Sequence, residues 1–265
     1  MTALKKPGAA SATRQCMFIL PGVDFAVGEE HSGDLESKLL ITQIVSEALA
    51  FDPDHWMLVI PERWAPSDDV ALEHARVRDL ARVMAAAADA RIPTGFITAR
   101  DGVKLTQILD PGRIASSSPD PGSLPEALAI YAARDLIAGS CADMPLNMFN
   151  FGRGVINDDN GVQIDLTGGA RALAWGPHIA LPSGSWILQI TFELSNVLAG
   201  RRLRFEWGHM SEFVSKDFTF AVSGRYQLDL EAAWVKADLS EMRVLLPNGA
   251  FSGEFSLVNC RIQRA

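Results

Sequence analysis

The sequence contains no apolar run approaching the roughly 20 residues a membrane-spanning helix requires. The short run Cys16 to Leu20 is also too brief for the core of a signal peptide, although Lys5 and Lys6 precede it. Cysteine is sparse. Cys16, Cys141 and Cys260 lie far apart, without the close pairs of a metal site or disulfide framework. Scattered thiols in odd number fit a reducing compartment, where each behaves as a small buried hydrophobe, so a soluble, cytoplasmic chain is expected. Positive charge is in deficit: 24 Lys and Arg stand against 32 Asp and Glu, a formal net charge of −8. That balance argues against nucleic acid as a partner, because displacing counterions from phosphate needs a positive surface. What remains is a globular composition, 48% hydrophobic and 21% charged over 265 residues, enough for one large domain or two modest ones.

Catalytic and metal signatures are missing as well. His31, His55, His74, His178 and His209 include no pair at three- to five-residue spacing, so no zinc motif can be written. Asn157-Asp158-Asp159-Asn160-Gly161 offers carboxylates to calcium, but the acidic residue that should close a twelve-residue loop falls at Gly168; the stretch reads as a hairpin turn. Asp52-Pro53-Asp54 matches the Asp-x-Asp of metal-dependent glycosyltransferases on paper and reads as a turn. There is no Gly-x-Ser-x-Gly elbow. Cys16 lies inside a strand, where a buried thiol is inert. Gly22, Gly28 and Gly33 have neither dinucleotide nor P-loop spacing. No metal ligand set, cofactor or catalytic residue is therefore assigned.

What is present divides by hydrophobic period. Between Gln15 and about Ser140, short apolar runs alternate with helical patterns. CMFIL (16–20), WMLVI (56–60), TGFIT (94–98) and the weaker GRIASS (112–117) read as strands. Leu35, Leu39, Leu40, Ile44 and Leu49 recur at helical spacing, with Ser32 or Asp34 as the cap. Ala75, Leu80, Val83, Met84 and Ala87 form a second helix, opened by Ser67, Asp68 and Asp69. A third is expected in GSLPEALAIYAARDLIAG, with Ser123 as N-cap, Pro125 in the first turn and Gly139 as the stop. Strands alternating with helices imply a small parallel α/β unit.

From about Phe149 the period becomes two. A hairpin at 157–161 is followed by RALAW, HIAL and SWILQITFEL, where Trp186, Leu188, Ile190 and Phe192 share a face. RRLRFEW sets Leu203, Phe205 and Trp207 on one side and Arg202, Arg204 and Glu206 on the other. DFTFAV, RYQLDLEAAW, MRVLL, GEFSLV and CRI complete an antiparallel β-sandwich of jelly-roll type. The expected organisation is a flexible tail over 1–14, an α/β domain over 15–145 and a sandwich over 150–265. CADMPLNMFNFGRG (141–154) links the two.

GPHIALPSGSW and the later LPNGAFSGEFSLVNCRI resemble a β-sandwich of bacterial polysaccharide-biosynthesis proteins, often fused to glycosyltransferases. The resemblance rests on Gly176, Pro177, Ile179, Leu181, Pro182, Gly184 and Trp186, then Gly249, Phe251, Gly253 and Phe255, and spans roughly the last hundred residues. It implies contact with saccharide or polysaccharide. SSSPDPGSLPEALAIYAARDLIAGS more faintly resembles the strand–loop–helix of nucleotide-sugar-binding α/β units, which implies a phosphate at a helix N-terminus. No Lys or His stands where a diphosphate clamp would be.

Two candidate sites follow. Ligands of open parallel sheets lie beyond the carboxyl ends of the strands. There the α/β half places Asp24, Glu29, His31, Glu62, Arg63, Arg100, Asp101, Ser116, Ser117 and Ser118, a polar pocket for sugar or phosphate or merely loop capping. In the sandwich, sugar binding needs an aromatic platform beside planar hydrogen-bond formers. Trp175 and His178 flank a strand end, His209 follows another, and Arg202, Arg204 and Glu206 line an outward face. The competing readings are a core Trp175 and a charged face that blocks strand addition. By alternation Trp186, Trp207 and Trp234 belong to packing. The functional expectation is a glycan-associated protein whose sandwich binds carbohydrate. The alternatives are a sugar or nucleotide-sugar transferase using the α/β half, and a structural subunit of a surface or virion-like appendage. A protein partner or homo-oligomer is compatible with each.

Overall fold

The structure is a computed structural model and describes residues 15–18, 56–61, 68–91, 94–97, 125–131, 136–153, 155–158, 161–209 and 212–265. In the first half, β1 (Gln15–Phe18), β2 (Trp56–Pro61) and β3 (Thr94–Ile97) pair in parallel in the order β1-β2-β3. They coincide with three of the four expected runs. The tail, the first helix and GRIASS lie outside the described residues. Helix α1 (Val70–Asp89) begins where its acidic cap predicts: the Asp69 carboxylate accepts from Ala71 N at 2.9 Å and Leu72 N at 3.1 Å.

Two expectations about this region need correction. The apolar stripe of α1, including Val77, Leu80, Val83 and Met84, finds its main partners in strands of the sandwich. The helix expected over 122–139 is, in its described part, a 3₁₀ segment at Glu126–Tyr131. Leu128 N donates to Pro125 O at 2.8 Å, the three-residue closure of a 3₁₀ turn.

The second half is a jelly roll. Its strands are β4 (Cys141–Asp143), β5 (Asn150–Phe151), β6 (Val155–Asp158), β7 (Gly161–Asp165), β8 (Arg171–Leu181), β9 (Gly184–Ser195), β10 (Arg201–His209), β11 (Glu212–Phe220), β12 (Gly224–Trp234), β13 (Asp238–Leu246) and β14 (Glu254–Arg264). Sheet I runs β11-β10-β13-β8-β5, and sheet II runs β12-β9-β14-β7-β6, with β4 also on β14. The antiparallel pairs β7 with β14, β8 with β13, β9 with β12 and β10 with β11 are those of one long hairpin wrapped around a barrel-like core. Cys141–Asp143 and Asn150–Phe151, read from sequence as linker, are thus sandwich strands, β4 against β14 and β5 against β8. RALAW and HIAL likewise form one strand. Pro177 offers no N–H to the ladder, and the register to β13 shifts between Ser240 and Glu241, leaving His178 unpaired at φ 62°.

Alternation does what the sequence says it should. Trp186, Leu188, Ile190 and Phe192 of sheet II are fully buried, as are Leu203 and Phe205 of sheet I; Trp207 and Trp234 are buried beside them. Phe192 is the hub, with ring centroids of Phe205, Phe220, Tyr226 and Phe255 at 5.0–5.6 Å. Each such side chain contributes roughly 1.5–3 kcal/mol by leaving water.

Sheet I ends on β5, which covers only Ala174 and Trp175 of β8. Along the rest of that edge the first half supplies the partners. Arg78 Nε donates to Pro177 O at 2.9 Å, Tyr131 Oη donates to Ala180 O, and Asp89 accepts from Ser183 N at 2.6 Å and from Ala237 N. An otherwise bare edge is closed by a helix, one of the ways folds suppress strand addition.

Candidate functional site

The outer face of sheet I is fixed by the same alternation that builds the core. With Phe205 and Trp207 pointing inward, Arg204 and Glu206 point outward; with Met242 and Val244 inward, Glu241, Arg243 and Leu245 point outward. On β8 a register shift at Leu173 places Ala172 and Trp175 on that same outer side. Residues directly opposite in antiparallel strands share a face, with Cβ atoms about 4.5–5.5 Å apart. The register therefore draws one row across all five strands: Ser215, Glu206, Arg243, Trp175 and Asn150. Asp217, Arg204, Leu245 and Ala172 form the row on one side; Phe213, Gly208, Glu241 and Pro177 form the row on the other.

Several of these groups are already engaged. Arg202 reaches Asp217 at 2.7 Å, and Arg204 grips it with two bonds, at 3.0 and 3.1 Å. Hydrogen bonds from Arg204 and Arg202 lower the Asp217 carboxyl to about 2. Arg243 bonds Glu241 at 2.7 Å and lies over the Phe213 ring, 4.0 Å from its centroid. The side chains of Glu206, Asn150 and Trp175 make no hydrogen bond among the described residues. Trp175 is half-buried.

Beside Trp175 the face drops into an open groove of about 560 Å³, lined by Gly152, Arg153, Asp165, Thr167, Gly168, Gly169, Ala170, Arg171, Ala172 and Trp175. Gly152 permits its narrow wall. Its N–H donates to Leu173 O at 2.8 Å, and a Cβ there would lie 2.4 Å from Ala172 O, a distance no side chain tolerates. Arg171 holds the opposite wall, donating to the carbonyls of Asp165, Leu166 and Gly169. Asp165 accepts from Thr167 N at 2.8 Å, and this bond leads the causes that depress its carboxyl. Arg153 is exposed and has no side-chain partner among the described residues.

Of the residues expected to bind, the structure gathers Trp175, Arg202, Arg204 and Glu206 on this face. His178 sits at the β8 irregularity, half-buried beside α1, where burial first and then Arg78, Arg243 and Arg82 lower its pKa against the pull of Glu241. His209 is not on the outer face. It follows the inward phase of Trp207, stacks 5.5 Å from the Trp234 ring, and approaches Asp238 at 3.6 Å and Glu212 at 3.7 Å at the end of the core. Asp24, His31, Glu62, Arg63, Arg100, Asp101, Ser117 and Ser118 lie outside the described residues. Sequence reasoning missed Asn150, Arg153, Phe213 and Arg243. Arg243 was readable as the polar residue between Met242 and Val244; Arg153 was not, because only the pairing of β5 with β8 brings it to the groove. Among the described residues, no group of three or more His, Cys, Asp or Glu side chains is placed to hold a metal ion. No helix there is long and apolar enough to cross a membrane.

No family model and no curated protein matches the chain. Solved structures that match over part of it include xylanase 10C from Cellvibrio japonicus in complex with xylopentaose, at 13% identity over 44% of this chain and 26% of that one, TM-score 0.34. A xylan-binding module, CBM15, matches at 12% identity over 48% of this chain and 97% of its own, TM-score 0.33. A triple jelly roll protein of an archaeal virus turret matches at 11% identity over 40% and 30%, TM-score 0.27. This chain covers about a quarter of the xylanase.

Proposed function

We propose that the jelly roll binds saccharide on the outer face of sheet I, at Trp175 and the groove beside it. The observation that carries the reading is the cross-strand row Glu206, Arg243, Trp175 and Asn150: a half-buried indole on the outer face beside a guanidinium, with a carboxylate and an amide that make no hydrogen bond among the described residues. An aromatic plane packs on the C–H face of a sugar ring, while groups of these kinds bond its hydroxyls. The activity proposed is binding, in the setting of polysaccharide biosynthesis or cell-surface glycan recognition that the resemblance of the sequence implies.

The test is titration of the full chain against a broad panel of soluble oligosaccharides and polysaccharides, followed by tryptophan fluorescence and calorimetry. At least one glycan is expected to bind, and Trp175→Ala is expected to weaken it about tenfold or more, a change of about 1.4 kcal/mol. Silence across the panel, or wild-type affinity in Trp175→Ala, would overturn the proposal.

A further inference from the structure

We infer that the saccharide taken by the groove is anionic, carrying carboxylate or sulfate groups, and that Arg153 is its charge contact; this rests on the reading just given. The arginines of this region fall into two sets. Arg202, Arg204 and Arg243 on the sheet face have carboxylate partners, Asp217 for the first two and Glu241 for the third. The two in the groove form no such ion pair. Arg153 has no side-chain partner among the described residues, and Arg171 hydrogen-bonds only to backbone carbonyls, with the Asp165 carboxylate as its electrostatic counterpart.

Against these two cations the groove sets one carboxylate, Asp165, whose Oδ1 is already taken by Thr167 N. The groove is thus locally positive in a chain whose formal net charge is −8. Such a local reversal draws anionic ligands and repels none of the sugar hydroxyls that Trp175 would accompany. Arginine also suits the task in shape: its planar fork meets carboxylate or sulfate with two parallel hydrogen bonds. The groove volume, about 560 Å³, falls within the roughly 300–1,000 Å³ common for small-molecule sites. Gly152 is tied to β8 through its bond to Leu173 O, and Arg153, next in the connection after β5, lines the same groove as Trp175.

The experiment compares three oligosaccharide sets on the full chain at fixed ionic strength: oligogalacturonates, sulfated galactan oligomers and neutral galactan oligomers. An anionic set is expected to bind at least about tenfold tighter than the neutral one, with affinity falling as salt rises. The two anionic arms show whether carboxylate or sulfate is preferred. Arg153→Gln is expected to abolish the preference, Arg153→Lys to retain part of it, and both to keep the wild-type melting temperature. Equal affinity for neutral and anionic sets, or a preference that survives Arg153→Gln, overturns the inference and leaves saccharide binding standing. Failure of all three sets to bind also overturns the inference, whereas saccharide binding itself falls only with silence across the broad panel.

Discussion

The two outer faces of the sandwich are built by the same alternation and differ in what they carry. On sheet II the outward residues of β9 and β12 include Gln189, Thr191, Glu193, Arg225, Gln227, Asp229 and Glu231, with no aromatic among them. Arg225 lies 3.7 Å from Glu193, and on β14 Arg261 is bound by Asp143, so the cations of this face are answered locally. On sheet I the corresponding positions hold Trp175 and Phe213, and the adjoining groove keeps Arg153 unanswered. Solvation explains the first face completely. It does not explain an indole held on the outside of a sandwich in which Trp186, Trp207 and Trp234 are all buried.

That contrast can be broken most severely from inside. Phe192→Ala removes the hub that joins both sheets and is expected to cost about 3–5 kcal/mol in denaturant unfolding, abolishing any difference between the faces. Gly152→Ala acts on the sheet I side alone. The added methyl meets Ala172 O, so a loss of about 1–3 kcal/mol is expected together with a widened groove and weakened ligand binding. Trp175→Ala sharpens the comparison: less than about 1 kcal/mol of stability should go, while glycan affinity falls. Gln189→Ala on sheet II should change neither.

The smallest effect concerns acid. Because the Asp217 carboxyl is lowered from 3.8 to about 2 by its arginines, the stability it contributes is present above its unfolded value and is lost as pH falls toward 2. The melting-temperature gap between wild type and Asp217→Asn should therefore close across that window. Its size is modest, since the pair is exposed to solvent.

Legibility followed the range of the interactions. The strands of the sandwich and the interior of Trp186, Phe192, Phe205 and Trp207 could be read because an alternating pattern is local. The outward side of Glu206 was readable for the same reason, whereas Trp175 stood out only as an aromatic at an expected strand end and owes its outward side to the register shift beside it. Arg153 and Asn150 belong to a stretch with no period of its own, and only long-range pairing with β8 brings Asn150 to the outer row and Arg153 to the groove. His209, expected after a strand end, is the last residue of β10, and its parity with Trp207 sends it to the core end. The helix stripe in α1 was clear, but its partner was not: an amphipathic face declares that it will be buried, not against what.

That partner has a practical meaning for anyone dividing the chain. Asp89 anchors both the turn between β8 and β9 and the turn between β12 and β13, while Arg78 and Tyr131 occupy carbonyls along β8. A piece that keeps these contacts together with the cap of α1 begins ahead of Asp69. A fragment cut at Phe149 would leave Pro177 to Ser183 as an open flank, ready to recruit a second copy or any extended peptide, and its sugar binding would be confounded by self-association.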